Sequence, residues 1–551
     1  MHMRVALASV TVTWICSLLL GGCSSSDSNS PAPPTFGFDS SVPTGDDQSG
    51  DDGGSGDDGS GDDGSGDDGG GPATLPDGAI PPQGVQLAAG DALELQGITS
   101  DGYAVYADTT ANTLSAVAVA GGKPIAIGPI DPNGAAVQVM GPVVFNWTAV
   151  NQSTGSGTLS VWTAAHQLQQ LSTSSQAPSG FQSVAVSADG TQVIFYDALS
   201  TDGNTANLAV AGTDGASKPT TFLSGVNIGN QSCFPVFTFA GADIAVAYIR
   251  AADGGAPDAS GGGGDGGGAA QYLATVSAFT GASWTQKDLT KQPALCALAV
   301  DSKASQLLVA TTAGLFAYPA ASLATGTGEL TLDAKGVWGK FAEGDGGLGV
   351  VYTDNASALK RISVASKATG AVLVTSGLTN VEALSPDQAW VLANDVVQVG
   401  AQGAVADLFL ASATTAGSAT SLVSTPISTP AGDSFTADST HALYAATVTS
   451  DAGVTSPGLY SVATSGGAPS PVVSNVGSVF AASGAQIVFN ANDDQGGYDL
   501  FRADTSKGGA PTLLVSVADQ AFLLTPAKDQ VVYTWSYLSG AMAGLYALPL
   551  K

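Results

Sequence analysis

Carboxylates, histidines and cysteines are the side chains of this 551-residue sequence that could do chemistry, and few of them cluster. The most suggestive carboxylates are Asp189, in the sequence Ser-Ala-Asp-Gly, and the adjacent pair Asp493 and Asp494 in a glycine-flanked loop. A general acid–base pair needs two carboxylates that converge on one substrate. Because adjacent loop residues point apart, we expect Asp493 and Asp494 to lie in a solvated turn.

The other catalytic groups are equally sparse. After His2, the only histidines are His166, in a strand–turn region, and His441, just after a turn, and we expect surface or turn roles for both. The sequence after the N-terminal segment contains no Gly-x-Ser-x-Gly elbow, no Walker loop and no dinucleotide fingerprint before a helix. Its two histidines and two cysteines cannot form a Cys₂His₂ zinc site at a suitable spacing. We therefore predict no catalytic residue, no metal site and no bound cofactor.

The N-terminus has the layout of a secretory signal. Residues 1–22 contain Arg4, an apolar run and then small residues. The sequence Leu-Gly-Gly-Cys that ends at Cys23 resembles the lipobox of bacterial lipoproteins, which implies cleavage before Cys23 and lipidation of that residue. The alternatives are an ordinary signal peptide with a nearby cysteine, or a membrane anchor. Ser24 stands where an Asp often retains such lipoproteins in the inner membrane, so we expect the outer membrane or the cell surface.

Residues 23–79 have the composition of a disordered tether. The repeated Gly-Asp-Asp has almost no apolar surface to offset its ordering entropy. A calcium loop needs alternating oxygen ligands and a closing bidentate acid, and this segment has no Glu. We expect only weak, nonspecific Ca²⁺ association here.

Charge and composition narrow the function classes. The chain carries 46 Asp and Glu against 16 Lys and Arg, a formal net charge of −30. Such a surface repels phosphate backbones, and no basic patch with interleaved aromatic residues offsets it, so nucleic-acid binding is excluded. With 44% hydrophobic residues and 72 glycines, the chain can bury a core and turn often enough for many short strands.

The remaining sequence repeats one unit of two consecutive hairpins. The first hairpin is clear in FQSVAVSADGTQVIFYDA (Phe181–Ala198). A leucine marks each unit at intervals of 41–51 residues, with one interval of 65 where a Gly-rich stretch (Asp253–Gly268) is inserted. These residues are Leu114, Leu159, Leu208, Leu273, Leu315, Leu359, Leu408, Leu459, Leu500 and Leu545. A period in the forties with four short strands is typical of propeller blades. We predict an all-β chain, with a β-propeller of about ten four-stranded units over residues 80–551, as one wide ring or two smaller propellers.

The best-preserved units resemble the repeats of TolB-like propellers, which also occur in the N-terminal domains of prolyl oligopeptidase-type peptidases. The shared pattern is Ser-x-Asp-Gly, an apolar strand, an aliphatic–aromatic doublet and Gly-Gly-x-Pro, as in Gly508–Pro511. The resemblance implies a fold and a tendency to bind partners, not a reaction. The positions that correspond to Asp189 and Gly190 hold Lys303-Ala304, Ser439-Thr440, Ser483-Gly484 and Ala527-Lys528. Asp189 is therefore expected to bend the backbone.

The two ends of the repeat region are expected to meet. The last unit has three evident strands, and the strand-like GVQLAA (Gly84–Ala89) has no hairpin partner of its own. If that stretch supplies the missing outer strand, the ring is closed and an exposed edge disappears.

Candidate binding residues lie in the loops between the second and third strands. These loops are long, and long loops on a rigid scaffold are where binding usually resides. The candidates are Asn151, Ser153, Asp202, Asn204, Asp451, Asp493 and Asp494.

Two cysteines remain after Cys16 and Cys23. Cys233 and Cys296 each lie eleven residues before matching strand positions in consecutive units. In an oxidising compartment they could form a disulfide. Two buried free thiols are the alternative, because matching positions in neighbouring blades can lie too far apart to bond.

Three functions remain open from sequence. The favoured one is a non-catalytic, lipid-anchored envelope protein that binds a protein, peptide or glycan. The second is a propeller enzyme, such as a lyase, glycosidase or quinone-dependent dehydrogenase, with carboxylates near the channel. Inner-strand segments such as SVAVS and VFTFA are short, small and mostly uncharged, which favours the binder. The third is a structural or adhesion protein.

Overall fold

The computed structural model describes residues 75, 79–178, 182–215, 217–228, 235–251, 272–290, 294–344, 347–365, 371–375, 377–378, 380–400, 403–417, 419–423, 427–428, 431–449, 455–492, 498–519, 521–538 and 542–550. The predicted signal and nearly all of the predicted tether lie outside these residues. No helix in the described part of the chain has the length and apolarity that crossing a membrane requires.

The fold is a ten-bladed β-propeller, as the repeats predict, and each blade is built on an antiparallel sheet of four strands. Strand β1 (Val85–Ala89) precedes the first blade. Blades 1 to 3 comprise β2 (Leu93–Ile98), β3 (Tyr103–Asp108), β4 (Thr113–Ala118), β5 (Ile125–Pro129); β6 (Ala136–Met140), β7 (Val143–Thr148), β8 (Ser156–Thr163), β9 (His166–Gln176); and β10 (Val184–Val186), β11 (Gln192–Asp197), β12 (Thr205–Gly212), β13 (Thr220–Asn227).

The middle blades follow the same plan. Blades 4 to 6 comprise β14 (Val236–Ala240), β15 (Asp243–Ala251), β16 (Tyr272–Thr280), β17 (Thr285–Asp288); β18 (Ala294–Val300), β19 (Gln306–Thr311), β20 (Gly314–Pro319), β21 (Leu330–Asp333); and β22 (Gly336–Gly344), β23 (Gly347–Asp354), β24 (Leu359–Ser363), β25 (Ala371–Val374). A short 3₁₀ helix, Ala320–Thr325, lies between β20 and β21.

The last four blades complete the ring. They comprise β26 (Asn380–Leu384), β27 (Trp390–Gly400), β28 (Gly403–Ser412), β29 (Thr420–Val423); β30 (Ile427–Ser428), β31 (Ala431–Gly432), β32 (His441–Thr449), β33 (Thr455–Ala463), β34 (Ser470–Val473); β35 (Val476–Ala481), β36 (Gln486–Asn492), β37 (Tyr498–Asp504), β38 (Thr512–Ala518); and β39 (Phe522–Leu524), β40 (Gln530–Trp535), β41 (Gly544–Pro549).

The first strand of each blade is the inner one, because first strands of neighbouring blades lie against one another, as β2 and β6 or β14 and β18 do. The marker leucines all lie on the third strand of their blades, so the sequence period follows the blade period. Where the burial of these leucines is described, it is complete or nearly so.

Buried side chains pack in ten clusters, each formed by two neighbouring blades. Alternate residues of a strand point to opposite faces of its sheet. In β11, Val193 and Phe195 pack towards blade 2, whereas Ile194 and Tyr196 pack towards blade 4. The second strands are therefore apolar at most positions, since both of their faces are covered.

The ring closes through the first strand of the chain, as the unpaired Gly84–Ala89 stretch predicts. Strand β1 pairs with β41 and forms the outer strand of blade 10. Just before it, the Tyr533 hydroxyl accepts the Gln83 N–H (2.8 Å) and lies 2.7 Å from the Gln83 carbonyl, to which it donates. Leu75 packs against the core between blades 9 and 10, so ordered contacts begin upstream of β1.

Blade 8 departs from the common plan at the channel. Its β30 is only two residues long, and β31 pairs in parallel with β35, the inner strand of blade 9. Gly432 makes this approach possible: its φ is 124°, and a Cβ there would lie 1.8 Å from the Val479 carbonyl oxygen. Any other residue at this position would displace β31.

We expect Leu87→Ala to lower the free energy of unfolding by about 2–4 kcal/mol, the usual cost of emptying a buried leucine site. Leu87 is 5% exposed and packs with Leu93 and Leu545 across the closure. Val85→Ala is the matched control in the same strand, because Val85 is 56% exposed. Urea denaturation of both variants checks this, and equal effects would show that β1 does not close the ring.

Candidate functional site

The second-to-third loops of blades 2 and 3 hold four of the candidate binding residues. Residues 149–155 connect β7 to β8, and residues 198–204 connect β11 to β12. Strand direction alternates across a blade, so both loops lie on one face of the ring. Asn151, Ser153 and Asp202 are exposed and Asn204 is exposed at the end of its loop.

The first loop is fixed by Asn151. Its Oδ1 accepts hydrogen bonds from the Ser153 N–H (2.9 Å) and the Ser153 hydroxyl (2.6 Å). Its carbonyl accepts the N–H of Gly155 at 2.8 Å, and Gly155 supplies the left-handed backbone that the turn needs, with φ of 70°. The Asn151 side chain thus shapes the loop, while the Thr154 side chain lies towards the neighbouring loop.

The second loop is fixed in a similar way by Asp202. Its Oδ1 accepts hydrogen bonds from the Ser200 hydroxyl (2.5 Å) and the Asn204 N–H (3.1 Å), and its Oδ2 accepts the Asn204 side-chain amide (3.0 Å). The bond from Ser200, followed by the two from Asn204, lowers the pKa of Asp202 to about 2. The carboxylate is charged at neutral pH and is held in place by neutral donors.

The structure brings these two loops together. A Cβ added to Gly203 would lie 3.3 Å from the Thr154 carbonyl oxygen, so the two loops lie close together. The Leu199 N–H also donates to the Ser174 carbonyl (3.2 Å) of blade 2. These two neighbouring loops expose amide, hydroxyl and carboxylate groups on blades 2 and 3, and we call them the loop pair.

Other predicted site residues are not placed. Cys23, Cys233, Asp451, Asp493 and Asp494 lie outside the described residues. Cys296 lies on β18, the inner strand of blade 5, and its side chain is not described. The disulfide between Cys233 and Cys296 therefore stays a prediction.

Asp189 shapes a turn, as its exchange between units indicates. Its Oδ1 accepts the Ser187 hydroxyl (2.6 Å) and the Thr191 N–H (3.0 Å), and these bonds lower its pKa to about 2. The expected alignment with Ser439-Thr440 is wrong by one residue. Ser439 has the left-handed φ of 62° that corresponds to Gly190, so Asp438 is the counterpart of Asp189.

Most inner strands are uncharged, as expected, but those of blades 1, 6 and 7 carry charged residues. Glu94 lies on β2, Lys340 on β22 and Glu382 on β26. The Lys340 ammonium donates to the Glu382 backbone carbonyl at 2.5 Å, and burial lowers the Lys340 pKa against the attraction of the Glu382 carboxylate. That carboxylate accepts the side-chain amides of Asn380 (3.0 Å) and Asn394. The segments that suggested neutrality came from other blades.

An ion network joins blades 5 and 6. The Lys360 ammonium lies 3.1 Å from Asp333 Oδ2 and 2.7 Å from Asp354 Oδ2, and the Tyr352 hydroxyl donates to Asp333 (2.8 Å). Burial opposes ionisation of all three charged groups. The contacts nevertheless lower the pKa of both carboxyls and raise the pKa of Lys360. Because each charge is paired, the network stabilises the contact between blades 5 and 6.

His166 and His441 each lie at the start of a strand. His441 begins β32 with its Nδ1 2.9 Å from the Thr440 hydroxyl, and burial lowers its pKa despite Asp438 and Asp504. His166 begins β9. Within the described residues, no group of three or more His, Cys, Asp or Glu side chains could hold a metal ion.

Comparisons with known proteins concern the fold alone. No protein-family model and no curated protein matches the chain. Three solved structures are similar in fold. A eukaryotic initiation factor is 15% identical, with 71% of this chain and 89% of that chain covered and a TM-score of 0.42. A prolyl endopeptidase is 12% identical (69% of this chain, 55% of that chain, TM-score 0.31), and an oligogalacturonate lyase in complex with manganese is 12% identical (65% of this chain, 97% of that chain, TM-score 0.30). At these identities and TM-scores, the likeness says nothing about what this chain binds.

We expect Lys360→Met to destabilise the protein by roughly 2–3 kcal/mol, somewhat less than a fully buried pair, because two carboxylates lose their cation. Lys507→Met is the control: Lys507 pairs with Asp504 at 2.8 Å but is 77% exposed, so its loss changes little. Thermal unfolding across pH checks both variants. The contribution of Asp333 and Asp354 is present above their ordinary pKa of 3.8 and is lost as pH falls through their lowered values. An equal effect of the two substitutions would contradict this account.

Proposed function

We propose that this chain is a non-catalytic, lipid-anchored protein of the bacterial cell envelope whose TolB-like propeller binds a protein, peptide or glycan partner through the loop pair. The observation that supports this most is the loop pair itself. Loops fixed by Asn151 and Asp202 are ordered before a partner arrives, so less entropy is lost on binding. The lipobox-like sequence before Cys23 supports the anchor.

A propeller enzyme is the second candidate, because Glu94 and Glu382 lie on inner strands. The contacts of Glu382 favour a binding protein over an enzyme. Its carboxylate is held by two amides, and the Lys340 ammonium is held by a backbone carbonyl. A catalytic acid or base needs a reachable proton-transfer partner, and these contacts instead fix the inner strands of blades 6 and 7.

Affinity capture from detergent-solubilised envelope, with the lipidated full-length chain as bait, tests the proposal. The double variant Ser153→Arg, Thr201→Arg places two bulky cations on the exposed loop pair. We expect it to lose the partner by about tenfold or more, a cost of about 1.4 kcal/mol. Asp101→Arg, on an exposed first-to-second turn of the opposite face, is the matched control and keeps the partner. A partner that both variants retain equally would overturn the proposal.

A further inference from the structure

Trp390 is the first residue of β27, and its backbone N–H makes a hydrogen bond that recurs in several blades. The first residue of the second strand donates its N–H to the side chain that opens the preceding turn: Gln192 to Ser187 (2.9 Å), Gln530 to Thr525 (3.3 Å) and Gln306 to Asp301 (2.6 Å). In blade 7 the same bond runs from the Trp390 N–H to Ser385, at 3.0 Å. The backbone role is unchanged, so the turn does not require an indole at this position.

The Trp390 side chain lines a cavity of about 440 Å³. This volume falls within the roughly 300–1,000 Å³ of small-molecule sites. Three consecutive blades contribute to it: the end of β25, the strands β27 and β28, and the turn after β33. The segments around its mouth, 412–420 and 462–467, have mostly small side chains, so nothing bulky fills the space beside the indole.

The lining is neutral throughout. It consists of Leu373, Val374, Ala389, Trp390, Leu410, Ala411, Ser412, Thr414, Thr415, Ala416, Gly417, Thr420, Val462, Ala463, Thr464, Gly466 and Gly467. A ligand with a full charge would lose its hydration here without an ion pair to any of these lining side chains. Five hydroxyl side chains are present, so a purely apolar ligand would desolvate polar groups without replacing their hydrogen bonds.

The indole offers two kinds of contact. Part of Trp390 packs against the core between blades 7 and 8, which holds the indole in place. Its Nε1 makes no hydrogen bond to the described residues, so it is available as a donor. A sugar ring matches this combination, because its C–H face packs on an aromatic ring while its hydroxyls pair with N–H and O–H groups.

We propose that this cavity binds a neutral sugar unit of one or two rings, stacked on Trp390. The site lies at the third-to-fourth turns, on the face opposite the loop pair, so it is independent of the partner surface proposed above. Thr415 and Ala416, exposed beside the mouth, are the positions at which bulk or charge blocks entry.

A printed array of neutral and acidic glycans, followed by calorimetry with the sugar that binds, tests this on the full-length protein. We expect saturable binding of neutral glycans only. Ala416→Glu should weaken it by about tenfold or more, a cost of about 1.4 kcal/mol, by placing a charge in the neutral mouth. Ala120→Glu, at the exposed third-to-fourth turn of blade 1, is the matched control and should bind as the parent does.

The outcomes separate the two proposals. The variant Ser153→Arg, Thr201→Arg should keep sugar binding, because it alters the other face. Trp390→Ala should abolish binding, and unchanged binding in the folded Ala416→Glu variant would overturn the site. No binding across the array, binding of acidic glycans alone, or displacement of the sugar by decanoate would overturn the ligand class.

Discussion

The need to cover both faces of every sheet is the constraint on which this molecule depends. Second strands such as β11 are apolar on both faces, and a free face would leave residues such as Phe195 and Tyr196 in water. Each fully buried side chain of this kind contributes about 1.5–3 kcal/mol. A closed ring satisfies every blade at once, and the core shared by blades 10 and 1 shows that no face is left over.

Closure leaves the turns and loops free to differ. Several first-to-second turns share one local design, in which a Ser or Thr opens the turn and an Asp fixes it, as at Ser187–Asp189 and Thr436–Asp438. Such hydrogen bonds are exposed and each contributes about 1 kcal/mol, far less than a blade interface. Variation at these positions therefore costs the fold little, which is why blade 7 can carry Trp390 beside a cavity while keeping its turn.

The sequence predicts the features that repeat. The ten marker leucines predict the third strands because apolar burial imposes a period, and the unpaired GVQLAA predicts β1 because a three-stranded last unit lacks an edge. Contacts between particular side chains of different blades produce no repeated pattern in the sequence. Asp333 meets Lys360 from another blade, and the Trp390 cavity forms between small side chains of three blades. The error at Ser439 has a local cause, since hydrogen bonding and φ, not residue type, identify Asp438 as the turn carboxylate.

Hydrogen exchange measured by mass spectrometry tests the closed ring most directly, because it requires no substitution. The amides of β1 (Val85–Ala89) and β41 (Gly544–Pro549) are partners in one ladder although they lie at opposite ends of the chain. A ring closed by this ladder predicts slow exchange in both segments and a simultaneous loss of protection as denaturant is added. Fast exchange in Val85–Ala89 while Gly544–Pro549 stays protected would contradict closure.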